Sequence, residues 1–210
     1  MRQHLDLLAG GNASAATAMV DPGIPNDQRV FLTDDVMASA SSLLVVEEVV
    51  ADKNEDAETR QVSETMQVNG ERFTHAFTVT KEKPTMGLLN NWTVKGSLAA
   101  PVTVDAGGYT QFTVGGVSAN APQKRVSGNP ATYLFYPGVY TFTPVAPSEY
   151  VDANPQTVAV LDGVHGVNTS YADAADVSLN ATYSDKLKEA ALESAKAFLN
   201  SCASIPGNQN

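Results

Sequence analysis

Cysteine is nearly absent from this chain: Cys202 is the only one in 210 residues. One thiol cannot form a disulfide within the chain or supply a cysteine-rich zinc site. Basic residues are scarce too, 13 Lys and Arg against 23 Asp and Glu, giving a formal charge of −10. Phosphate neutralisation needs clustered Lys and Arg, so nucleic acid is excluded as a partner. No run of about 18 apolar residues occurs, so nothing reads as a membrane span. Met1-Arg2-Gln3-His4-Leu5 runs straight into an amphipathic pattern, without the apolar core or cleavage site of a signal peptide. Gly-x-Ser-x-Gly, His-Glu-x-x-His and Gly-x-x-x-x-Gly-Lys are missing, so no nucleophile elbow, metalloprotease helix or phosphate loop is expected. Nothing calls for a cofactor or a metal, and no catalytic residue is assigned.

What is present is a sizeable apolar fraction, 43%, enough for a real core. The acidity is spread: net −6 over residues 1–100 (8 basic, 14 acidic) and −4 over 101–210 (5 basic, 9 acidic). Such a spread favours solubility over a focused site. The run Asp52, Glu55, Asp56, Glu58 lacks the order of a calcium loop and reads as a solvated connection between strands. The abrupt ends, Met1 and Gly207-Asn208-Gln209-Asn210, suggest a portion of a longer protein.

Residues 2–20 read as helix broken at Gly10-Gly11-Asn12, with Asn12 capping the second half. A short helix follows over 33–42, capped by Thr33 and favoured by Asp34 and Asp35 at its positive end. Strands are expected at 43–51, 59–68, 72–80 and 92–98. Asn69-Gly70 is a strong hairpin signal, because a type I′ turn needs positive φ twice. After residue 100, short apolar runs alternate with Gly, Pro and Asn, as in a small all-β module. Gly115-Gly116 suits a two-residue hairpin and Pro137-Gly138 a type II turn. A last helix spans about 184–204, with Leu187, Ala191, Phe198, Leu199 and Cys202 on its apolar side. Cys202 reads most simply as a small core residue there. The organisation is therefore 1–99, an α+β unit; 100–183, a β module; 184–204, a helix; and 205–210, a tail.

A two-residue loop at Asn69-Gly70 pairs positions whose numbers sum to 139. Glu64 then opposes His75, within a face otherwise made of Val62, Met66, Phe73 and Phe77. An acid facing an imidazole on an apolar face is open to two readings. One is ligand anchoring or acid–base work; the other is a satisfied pair that ties down register. His4 and His165 carry weaker signals, His165 within the glycine-rich turn Asp162-Gly163-Val164-His165-Gly166. Tyr133, Phe135, Tyr136, Tyr140 and Phe142 cluster around Pro137-Gly138; the alternating Phe135, Tyr140 and Phe142 read as filling the core of a small β module, or else the cluster is a binding surface.

The first hundred residues, with "LLAGGNASAATAMV", "LTDDVMASAS" and "NNWTVKGSL", resemble the nuclear-transport-factor-2-like fold. There, helices pack on a curved antiparallel sheet. The segments "YTQFTVGGVSAN" and "YLFYPGVYTFTPV" are similar to β modules in extracytoplasmic regions of Gram-positive membrane proteins, and "ALESAKAFLNSCAS" to the closing segment of actinobacterial examples. In those a further Cys tends to follow, so the resemblance implies a partner for Cys202 beyond the chain end. It also implies an extracytoplasmic location, with any membrane anchor outside this chain. The implied function is non-enzymatic binding of a small molecule, cell-wall component or protein. Glu64, His75, Phe73, Phe77 and Trp92 are the candidate binding residues. The alternatives are a pocket enzyme using Glu64 and His75 as its acid–base pair, and a structural spacer.

Overall fold

A computed structural model describes residues 1–26, 29–51, 58–82, 92–120, 131–162 and 175–203. Two short helices open the chain, α1 (Arg2–Ala9) and α2 (Ala13–Met19). Gly11 separates them at φ 76°, a left-handed position that suits glycine. Asn12 does not cap α2: its side-chain amide turns back to the Gly10 carbonyl at 3.4 Å. The free Ser14 N–H donates instead to Asp34 Oδ1 at 2.8 Å. Asp34 opens α3 (Asp34–Ala38), where Thr33 accepts from the Val36 N–H as expected.

The hairpin register is as the turn requires. Asn69 and Gly70 take φ 51° and 84°, and Glu64 pairs with His75. Strands β2 (Val45–Ala51), β3 (Thr59–Val68), β4 (Glu71–Lys81) and β5 (Trp92–Lys95) form one antiparallel sheet in that order. Its inner face is apolar, and Met66, Val68 and Phe77 are fully buried. Leu5 and Leu8 of α1 and Ala13 and Ala16 of α2 share that core. Leu134, Tyr136 and Val139, from beyond residue 99, lie in it too. Tyr136 also bonds the Thr17 hydroxyl of α2 at 2.8 Å.

The rest is mostly short antiparallel strands. β1 (Ser42–Leu43) and β12 (Gln156–Val160) both pair with β10 (Gly138–Pro144), which continues to β7 (Gln111–Val114) and β8 (Val117–Asn120). A second sheet holds β6 (Ala100–Asp105) between β9 (Ala131–Phe135) and β13 (Ala175–Ser178), the β13 pairing being parallel. β11 (Val151–Asp152) pairs with β14 (Thr182–Tyr183). Tyr133, Phe135, Tyr136, Tyr140 and Phe142 are all buried, which settles the aromatic cluster as core. Phe31 stacks on Phe135 with ring centres 4.8 Å apart. The architecture is mixed α+β with no closed barrel among the described residues.

Two further sequence expectations fail here for clear reasons. Gly138 does not take positive φ in a type II turn; it opens strand β10. A Cβ there would meet the Tyr140 ring at 2.9 Å, and that ring is held by the Tyr140 hydroxyl donating to the Tyr136 carbonyl. Close approach, not turn geometry, explains this glycine. The second failure concerns the last helix, α4 (Asp185–Ala203), which has no buried residue at all. Cys202 is exposed and free, not a core residue.

Candidate functional site

Glu64 and His75 are cross-strand partners on the inner face of the four-stranded sheet. They do not hydrogen-bond each other. His75 Nδ1–H donates to both oxygens of Asp162, at 2.8 and 2.9 Å. The imidazole also packs on Phe77, ring centres 4.3 Å apart. Asp162 lies two residues beyond the end of β12, so this contact ties the four-stranded sheet to the β10–β12 pair. Only Nε2 of His75 remains as a donor or acceptor.

Glu64 is fully buried, and among the described residues neither carboxyl oxygen has a hydrogen-bond partner. Desolvation therefore raises its pKa, opposed in part by the amino group of Met1 and by Arg2. His4 is the mirror case. It is fully buried, and among the described residues neither ring nitrogen is bonded at normal geometry. Burial pushes its pKa down to about 4; the Met1 amino group adds to this and the Ala16 backbone opposes it.

Of the five candidate binding residues, the sheet brings four together. Phe73, His75 and Phe77 alternate on β4 beside Glu64. Trp92 stands apart: it pairs with Lys81 at the other end of β4 and carries the Arg60 guanidinium over its ring at 4.6 Å. Asp162 and His4 went unassigned in the sequence reading. In the sequence Asp162 reads as part of a glycine-rich turn, and His4 lies close to the chain's start. His165 and residues 52–57 of the acidic run lie outside the described residues. Among the described residues no group of three or more His, Cys, Asp or Glu could hold a metal ion.

A carboxyl whose pKa is raised by burial, beside an oriented imidazole, has the ingredients of acid–base chemistry. What it lacks is access, since Glu64 has no exposed surface.

The accessible feature is α4. Its 19 residues extend for about 28 Å. Ala, Leu, Lys and Glu dominate it, which explains why it is helical. It is moored at its start, where the Ser184 hydroxyl donates to the Glu149 carbonyl at 2.8 Å and Lys186 pairs with Glu149 at 3.0 Å. At about 100° per residue, Leu187, Ala191, Leu192, Ala195, Phe198, Leu199 and Cys202 occupy one arc of about 140°, which Lys188, paired with Asp185, interrupts in the first turn. Lys186, Glu189, Glu193 and Lys196 occupy the opposite side. Along that apolar arc Leu192, Phe198 and Leu199 are 56%, 67% and 65% exposed.

Comparison of the chain with family models, with curated proteins and with solved structures gave no match.

Proposed function

We propose that this protein is a non-enzymatic binding module that engages a partner protein through the apolar face of α4. One observation carries the reading: a 19-residue amphipathic helix without a buried residue. Helices in isolation are marginal in water, and helical stability normally comes from packing an apolar face. The exposed arc that carries Leu192, Phe198 and Leu199 fits the helix-in-groove mode of recognition. The residue resemblances noted above support an extracytoplasmic place at a Gram-positive cell envelope. The order of helices then a four-stranded meander supports a nuclear-transport-factor-2-like assignment for the first unit. The acid–base alternative would require a path to Glu64, whose burial weighs against it.

The test is the double variant Leu192→Glu/Phe198→Glu. Neither side chain is buried, so the melting temperature should stay within about 2 °C of the parent, as for surface changes. Retention by an envelope fraction, measured in a pull-down, should fall at least about tenfold. Unchanged retention would remove the reading.

A further inference from the structure

β2 is an edge strand: among the described residues it pairs only with β3. Edge strands present unpaired backbone groups and are normally protected. This one also exposes apolar side chains on both faces. Val45 and Val50 are 51% and 54% exposed on the outer face, and Val49 is 44% exposed on the inner face.

The charges on this edge decide what can pair with it. Glu47 and Glu48 sit at a bulge in the middle of the strand. A second copy of β2 docked antiparallel about a two-fold axis, in full overlap, sets Glu48 against Glu48 or Glu47 against Glu48. Like charges directly opposite oppose pairing. Slipped registers avoid that only by giving up rungs. The bulge and the glutamates thus act against self-association, while a strand carrying Lys or Arg would meet complementary charge. Of the two, Glu47 is partly engaged by Arg72 at 2.8 Å, and Glu48 is the more available.

We propose that the free edge of β2 takes up an extended, basic segment of a partner protein as a fifth strand. Backbone hydrogen bonds would supply affinity, the valines apolar contact, and the glutamates selection for positive charge. This goes beyond the reading of α4 and is carried by a different element.

The experiment uses the full chain and three fluorescein-labelled octapeptides followed by anisotropy. One alternates Val and Lys; one alternates Val and Glu; one is the Val/Lys peptide N-methylated at every second amide. The Val/Lys peptide should bind at least about tenfold tighter than either of the others. Glu48→Lys, alone and with Glu47→Lys, should reverse the preference between the two charged peptides. The Leu192→Glu/Phe198→Glu variant should bind the Val/Lys peptide like the parent, so that failure here and failure of the α4 reading are separable. Equal binding of the N-methylated peptide, or absence of Val/Lys binding, overturns the proposal.

Discussion

Two buried titratable residues on the first core oppose each other in pH. Folding takes Glu64 out of water, with no hydrogen bond to it among the described residues, so its neutral form is favoured and its pKa rises. A raised carboxyl pKa means that ionisation works against the fold once pH exceeds the unfolded value of about 4.3. Glu64→Leu should therefore raise stability at pH 7 by about 1–3 kcal/mol in urea titrations. The gain should shrink as pH falls towards the unfolded value. His4 behaves in the opposite sense. Its folded pKa of about 4 lies below the unfolded 6.5, so its stabilising contribution is complete above 6.5 and is lost as pH falls from there towards 4. The loss amounts to about 3 kcal/mol by pH 4. A His4→Leu variant should show a flatter stability profile across that window, and a profile as steep as the parent's would contradict this assignment. His75 and Asp162 make the polar link between the sheet and β12. Asp162→Ala should cost about 1–3 kcal/mol, and a double-mutant cycle with His75→Ala should show strong coupling.

At the scale of elements, the glycines separate those needed for conformation from those needed for space. Gly107 needs both. Its φ is 53°, and a Cβ would lie 1.9 Å from the Leu179 carbonyl oxygen, on the chain just after β13. Gly107→Ala should destabilise by about 2–3 kcal/mol, whereas Gly116→Ala, with positive φ but open space, should cost less. The hairpin register was legible because Asn69-Gly70 admits one turn type, and period-two alternation then places every side chain from 62 to 77 on a known face. The cap of α2 was not, because its acceptor is Asp34, twenty residues away. Nor was the His75–Asp162 contact, which joins residues 87 apart across two sheets. Local pattern carries no term for such contacts. The helix at 185–203 was legible from propensity and period. Its lack of packing was not, because an amphipathic pattern marks an apolar face without saying what covers it.

Across the whole molecule, the two cores exchange residues. Phe31 and Val36, ahead of the first strands, belong to the core of the small β sheets, while Leu134, Tyr136 and Val139 belong to the core under α1. β1 pairs with β10 across the same divide. Residues from both sides of position 99 are thus tied together by apolar contact as well as by the Thr17–Tyr136 and His75–Asp162 bonds. α4 stays outside both cores. Its thiol should report this: Cys202 should react with Ellman's reagent in the native protein at a rate close to that of the unfolded chain.

The most direct measurement of the central claim is photo-crosslinking in intact source cells. A benzophenone residue is placed at Phe198 in one variant and at Asn200, on the polar side of α4, in another. The binding reading predicts a discrete adduct from position 198 and none from 200. A synthetic 185–203 peptide should compete it away, and the same peptide carrying Leu192→Glu and Phe198→Glu should not. No adduct at 198, or the same adduct from both positions, would contradict the assignment of α4 as the docking surface.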